Sequence, residues 1–273
     1  MIEARASEED RHQLSSGIVP ATLGSTEALL TWLRSTCAQY RFSPRAVYRR
    51  GLRERWPLSA SSEAELEREL DERGHLMPLP KEPAALANVI EVSVVGFLLD
   101  RLEGEAGIEA RRGTERGYPD VEISGDRFGG YHALDVKVAR RAKSGRQTKS
   151  RITLYTGNTY FRYPQLKWPG AFRPFQEYES HLDLIVLYSF VPETLARIEN
   201  VELLVHEAWR IASRQRSSTT REYLGAVTSI EDLREGNGEF ASKGEFYAYW
   251  RKFPFKIGRT VQNQLDRLLA GQG

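Results

Sequence analysis

Gly117-Tyr118-Pro119-Asp120-Val121-Glu122-Ile123 and, a few residues on, Tyr131-His132-Ala133-Leu134-Asp135-Val136-Lys137-Val138 are the stretches from which the rest of the chain can be read. Each reads as a strand. The connection from Ser124 to Gly130 carries Gly125, Gly129 and Gly130, which permit tight backbone turns. Side chains alternate along a strand. His132, Leu134, Val136 and Val138 therefore share one mostly apolar face, and Ala133, Asp135, Lys137 and Ala139 share the other. Asp135 and Lys137 stand about 7 Å apart along the strand. Asp120 lies at the mouth of the first strand, after Pro119, which favours extended or turn backbone before it. Paired as a hairpin, the two strands bring Asp120 toward Asp135, so that two carboxylates and an ammonium converge.

Such a set suits a hard cation. Mg²⁺ takes oxygen ligands, keeps several waters and is usually held by one or two carboxylates together with substrate phosphate. A neighbouring lysine can orient a water and balance developing charge. The tripeptide acid-x-Lys carries no information by itself. With 37 acids and 8 lysines in 273 residues, about one match is expected by chance, and Asp135-x-Lys137 is that match. The information lies in the conjunction of Pro-Asp, a glycine-rich connection, an apolar-backed strand and small neighbours on the acid face. The plainer alternative is a solvated strand face with an ion pair and a turn aspartate.

Pro119-Asp120 followed by Asp135-x-Lys137 resembles the PD-(D/E)xK nuclease motif, and the chain more narrowly resembles the EcoRV-type restriction endonucleases. The pieces that carry the resemblance are Tyr118-Pro-Asp, Leu134-Asp-Val-Lys, Ile152-Thr-Leu-Tyr-Thr-Gly-Asn-Thr-Tyr-Phe, Pro174-Phe-Gln-Glu-Tyr with His181, and Glu245-Phe-Tyr-Ala-Tyr-Trp-Arg251. They occur in the family's order, clearly over about residues 80–190 and more thinly over about 213–253. The resemblance implies an α/β (α+β) restriction-endonuclease-like fold, with a mixed central sheet flanked by helices. It implies Asp120, Asp135 and Lys137 as the catalytic set and Asp120 and Asp135 as Mg²⁺ ligands. Glu91 matches the family's helix glutamate and would assist as a further ligand or as a supporting acid.

The chain as a whole has 39 Lys and Arg against 37 Asp and Glu, a net charge of +2, so any nucleic-acid affinity must come from local patches. No apolar run stands out as a membrane span, the acidic, polar N-terminus does not read as a secretory signal, and the single Cys37 cannot form an internal disulfide. A cytoplasmic bacterial protein is expected.

Residues 1–80 read as a helical accessory or dimerisation region, with an apolar stripe through Leu29, Leu30, Trp32, Leu33 and Cys37 and a second helix over Ala64–Arg73. Arg45, Arg49, Arg50, Arg53 and Arg55 form a basic cluster there, more simply a solvated face than a DNA contact. Residues 81–273 read as the endonuclease domain. The run 84–103 predicts a long helix in which Glu91 interrupts the apolar surface. Asp183-Leu-Ile-Val-Leu-Tyr-Ser-Phe reads as a strand at a sheet centre.

Three segments are candidates for DNA contact. Residues 111–117 form a polar loop that the resemblance places near the minor groove, with Glu115 and Arg116 at its tip. Residues 139–151, including Arg140 and Arg141, carry six positive charges and no negative one, as expected of a flexible loop that grips phosphates. Between the second segment and the third, the separate residues Thr156, Asn158 and Thr159 also offer small polar groups to a DNA backbone. The third segment, residues 213–220, is built of donors: Arg214, Gln215, Arg216, Ser217, Ser218, Thr219 and Thr220. In the family a loop here reads bases in the major groove. Its glycine-rich tip is replaced in this chain by Arg214-Gln215-Arg216, which predicts a recognition site with more G·C pairs. The resemblance further implies duplex DNA as substrate, a homodimer to match a palindromic site, and a cognate methyltransferase as functional partner. The same motif would also serve a repair or nicking nuclease, or persist in a catalytically idle DNA-binding protein.

Overall fold

The computed structural model describes residues 25–42, 62, 64–65, 68, 79–114, 117–156, 159–194, 196–218, 223–255 and 257–271. The helices in chain order are α1 (Ser25–Cys37), α2 (Pro83–Glu103), α3 (Thr159–Arg162), α4 (Ala208–Ile211), α5 (Ile230–Glu235), α6 (Lys243–Lys252) and α7 (Arg259–Ala270). The strands are β1 (Glu109–Arg112), β2 (Val121–Ser124), β3 (Tyr131–Arg140), β4 (Thr153–Thr156), β5 (Ser180–Phe190), β6 (Ile198–Glu207), β7 (Ala212–Arg216) and β8 (Tyr223–Ala226). Five of them form a mixed sheet in the order β1-β2-β3-β5-β6, with β3 and β5 parallel and the other pairs antiparallel. A second sheet runs β4-β8-β7.

The apolar strand that begins at Asp183 lies inside the main sheet as β5, between β3 and β6. Its two faces enter different cores, as its unbroken hydrophobic run requires. Leu182, Leu184 and Val186 join Leu134 and Val136 of β3 under α1 and α2. Ile185 and Leu187 join Ala133 and Ala139 on the other face, among Tyr118, Tyr155, Phe161, Phe175 and the aromatic residues of α6. The alternation expected along 131–139 is therefore present. His132, on the first face, is buried and bonded to Ser180 Oγ (2.8 Å) and the Gly129 carbonyl (2.8 Å).

By length and composition alone, α2 is long and apolar enough to cross a membrane. Here it lies on the sheet, burying Leu86, Ile90, Val94, Val95, Leu98 and Leu102 in the first core. α1 shares that core through Leu29, Leu30, Leu33 and Cys37, so this part of residues 1–80 packs directly on the sheet. The arginine cluster at 45–55 and most of the expected second helix fall outside the described residues.

Two segments differ from their sequence reading. Residues 213–216, expected as a loop, continue β7 and pair with β8. Ser213 is buried there and donates to Glu239 Oε1 at 3.0 Å, so pairing overrides a loop-like composition. Residues 231–235, Glu-Asp-Leu-Arg-Glu, read in sequence as an acidic turn but belong to the helix α5, capped by Ser229 Oγ accepting from the Asp232 N–H at 3.3 Å.

Candidate active site

The β2–β3 register, Val121 opposite Leu134, carries one step further to set Asp120 opposite Asp135. The two acids clamp each other's strands. The Asp120 N–H donates to Asp135 Oδ1 at 3.3 Å, and the Val136 N–H donates to Asp120 Oδ2 at 2.7 Å. Lys137 Nζ donates to Asp135 Oδ2 at 2.7 Å, and this pair is well shielded, with side chains 25% and 10% exposed. The sequence expectation that these three groups converge is met in the geometry. Gly113 makes the approach possible: its N–H donates to the Asp120 carbonyl at 2.7 Å, and a Cβ there would come within 2.1 Å of the Pro119 carbonyl oxygen.

The entry to β2 is fixed from below. The Tyr118 hydroxyl donates to His181 Nδ1 at 2.6 Å, and His181 Nε2–H donates to the Phe175 carbonyl at 3.1 Å. That tautomer follows from the carbonyl, which can only accept. Burial holds the His181 pKa down at about 3, so the ring stays neutral, stacked 3.6 Å from Phe175. Tyr118 and Tyr155 are also hydrogen-bonded to each other. An aromatic, hydrogen-bonded base thus supports the residue two before Asp120.

Charge at the site is unbalanced. Burial first, and then the neighbouring Asp135, push the Asp120 carboxyl up to about 7, with Lys137 and the Val136 N–H pulling the other way. Burial opposes the Lys137 ammonium, but Asp135, Asp120 and Asp183 outweigh it and hold its pKa above the ordinary lysine value. Lys137 is therefore a standing cation and donor. Glu91 projects from α2 into the same cleft. Burial raises its carboxyl, Lys137 opposes this, and Asp135 adds to it.

In the sequence Asp183 reads only as the start of a strand. It pairs with Asp135 across the parallel β3–β5 register, is 0% exposed, and neither of its carboxylate oxygens has a hydrogen-bond partner among the described residues. Burial drives its pKa well above the ordinary carboxylate range. One polar residue at the head of an apolar strand was the signal available in the sequence.

The cleft over this set has a volume of about 780 Å³ and is lined on its far side by Arg140, Arg151, Thr153 and Tyr223. Arg140 lies over the Phe190 ring. Arg141 is committed elsewhere: its guanidinium donates to Glu202 at 2.5 Å on β6, and Arg234 holds the same carboxylate. Residues 141–148, expected as a flexible loop, fold into a hydrogen-bonded turn through Ala142 N–H to Gln147 (2.8 Å) and Lys149 N–H to Arg140 (2.7 Å).

In the segment 213–220, expected from the sequence to read bases, the three leading side chains part company. Arg214 is bonded to Glu245 and to the Glu239 carbonyl, and lies over Phe240 and Tyr249. Arg216 faces Phe253 on the same side. Gln215 turns the other way, to Arg151. Ser217 bonds Thr153 Oγ1 at 2.7 Å, and Ser218 is half-buried. Thr156 ends β4 opposite Tyr223, and Thr159 opens α3. Glu115, Arg116, Asn158, Thr219 and Thr220 lie outside the described residues.

Among the described residues no three His, Cys, Asp or Glu side chains converge as a metal-holding group, and Glu91 lines the cleft without completing one. The donor chemistry nonetheless fits a hard dication. Two carboxylates are held together, with burial and the neighbouring Asp135 disfavouring ionisation of Asp120, and such a cation needs only one or two protein carboxylates when water and phosphate complete its shell.

A mixed sheet flanked by helices, with an acid opposite an acid-x-Lys on adjacent strands, defines the restriction-endonuclease-like fold. The chain belongs to the EcoRV restriction endonuclease family: the family model described as "Restriction endonuclease EcoRV" matches residues 53–269. The match starts at residue 53, although the motifs quoted from the sequence carry no resemblance before about residue 80, and it spans both sheets. No individual curated protein matches the chain. Family membership makes the protein a nuclease acting on DNA, of a kind that generally uses divalent metal ions.

Proposed function

We propose that the protein is a type II restriction endonuclease: a Mg²⁺-dependent homodimer that hydrolyses both strands of duplex DNA at a specific sequence, in the bacterial cytoplasm, with a cognate methyltransferase protecting the host. The observation that carries this reading is the reciprocal clamp of Asp120 and Asp135, with Lys137 bonded to Asp135, at the wall of an open cleft.

In this reading Asp120 and Asp135 hold the cation, with Glu91 assisting from the cleft wall. Bound there, Mg²⁺ supplies charge neutralisation at a phosphate and a more acidic water. Lys137 acts as a donor and not as a base, because its carboxylate neighbours keep it protonated. It orients the attacking water and offsets charge building on the phosphoryl oxygens. The water oxygen forms a bond to phosphorus as the bond to O3′ breaks, leaving a 5′-phosphate and a 3′-hydroxyl. Arg140 and Lys149 supply phosphate affinity around the site.

Unmethylated phage DNA incubated with the protein in Mg²⁺ or EDTA, with the fragment ends sequenced, tests the whole reading. Discrete Mg²⁺-dependent fragments with 5′-phosphate ends are expected. A smear or nicking would leave a looser nuclease, and intact DNA that is still shifted in a gel would leave a DNA-binding protein.

A further inference from the structure

The structure assigns base reading on the cleft side of the β7–β8 hairpin to Arg151, with Gln215 as the residue that positions it. This rests on the reading of the protein as a sequence-specific nuclease. Arg151 precedes β4 and lines the same cleft as Asp120, Asp135 and Lys137. Its guanidinium donates from Nη1 to the Ala226 carbonyl at 2.7 Å and from Nη2 to Gln215 Oε1 at 2.8 Å. Its aliphatic stem crosses the backbone of β8 at Gly225. A Cβ on Gly225 would meet Arg151 Cδ at 2.4 Å and the Gln215 carbonyl at 2.7 Å, so the missing side chain is the channel through which Arg151 reaches the hairpin.

Among the described residues, two of the five guanidinium N–H groups are used in these bonds, on a side chain whose plane is fixed from both ends. A fixed, planar fork is what bidentate recognition of guanine O6 and N7 requires. Arg214 and Arg216 do not offer this. Both lie on the opposite face of β7 against α6 and its flanking aromatics, and Arg214 is tied to Glu239 and Glu245. Strand alternation separates the three side chains: Gln215 alone of them faces Arg151.

The test is a cleavage selection on duplexes with randomised sequence, using the full chain as wild type, Arg151→Ala, Arg151→Lys, Gln215→Ala and Arg214→Ala, with a thermal melt of each variant as a folding control. The wild type should show a guanine preference of roughly 5- to 150-fold at one symmetric pair of positions. Arg151→Ala and Arg151→Lys should both lose that preference while keeping the rest of the site. Gln215→Ala should weaken it, and Arg214→Ala should leave it in place. The lysine variant separates reading from charge, because an ammonium keeps phosphate affinity but has no fork. An unchanged site in Arg151→Lys, or loss of the guanine only in Arg214→Ala, would overturn the assignment while leaving the nuclease intact. If the wild type cuts with no base preference, the specificity reading fails and takes the assignment with it. If the wild type does not cut, the same library is selected by binding, and an enriched guanine that persists in Arg151→Lys overturns the assignment equally.

Discussion

The two faces of β3 and β5 are built from alternate residues of the same strands, yet they have opposite chemistry. On one side Leu134, Val136, Leu182, Leu184 and Val186 pack under α1 and α2 in an apolar layer. On the other, Asp135, Lys137, His181 and Asp183 are packed among Tyr118, Tyr155 and Phe175, a few ångströms of backbone away. Burying apolar surface stabilises, whereas burying a charge costs several kcal/mol unless it is paired. The apolar face explains why the sheet is stable. The polar face makes sense only as a site, and the difference can be probed one face at a time.

The largest effect is expected on the polar face. Asp120→Ala should lower cleavage by on the order of 10³-fold or more, while DNA binding measured by gel shift stays within a few fold. A variant that keeps most of its cleavage would remove Asp120 from the chemistry and return the polar face to a structural role. Leu184→Ala should do the reverse. Leu184 is fully buried on the apolar face, so the change should cost about 2–5 kcal/mol of stability, read by denaturant titration, with cleavage per folded molecule unchanged. A loss of cleavage without a loss of stability would mean that the faces are not separable.

How much of this contrast could be read from the sequence differs between the faces. The alternation through 131–139 and the run after Asp183 were legible because strand periodicity is a local property. So was the Asp120–Asp135–Lys137 set, since a short hairpin fixes its own register. The positions of Arg214 and Arg151 were not legible. Arg151 reads as one more charge in a basic run, and only the pairing of β4 with β8, across about seventy residues of chain, places it beside Gln215. The loop-like composition of 213–216 concealed a strand for the same reason: its partner is distant in sequence. Asp183 is not legible as a site residue either, because the orphaned state of a carboxyl depends on what surrounds it in space.

Acidity offers a third probe. The Asp120 carboxyl is raised from an ordinary value near 3.8 to about 7, chiefly by burial. The folded protein therefore binds a proton there that the unfolded chain has released, so without metal this group destabilises the fold progressively as pH rises from about 4 to about 7. His181 and His206 work in the other direction. Burial depresses them to about 3 and about 4, so the unfolded chain takes up their protons first, and stability is lost as pH falls below about 6.5. The difference between Asp120→Asn and wild type isolates the carboxyl from the histidines. In EDTA the variant should gain stability over wild type, by a few kcal/mol at most, between pH 4 and 7, with a plateau above. Adding Mg²⁺ above pH 7 should shrink the gap, because a dication favours the ionised wild type. A flat difference across this range would mean that the carboxyl is not raised.

The smallest effect, and the sharpest for the comparison, concerns Asp183. An unpartnered buried carboxyl costs about 1–3 kcal/mol relative to an apolar group that fills the same space. Asp183→Val, with a side chain suited to a central strand, should therefore raise the stability of the metal-free protein by about that amount in a denaturant titration. The same substitution removes one of the three carboxyl groups that hold the Lys137 ammonium, so cleavage should fall even as stability rises. The two readouts moving in opposite directions would mark Asp183 as part of the site, tolerated at a cost to the fold. A variant that is less stable would mean that the carboxyl has found a partner, such as an ordered water between the tyrosine hydroxyls. A variant that is more stable and cuts as well as wild type would mean that the carboxyl behind Lys137 does nothing for the reaction, and the polar face would then shrink to Asp120, Asp135 and Lys137 alone.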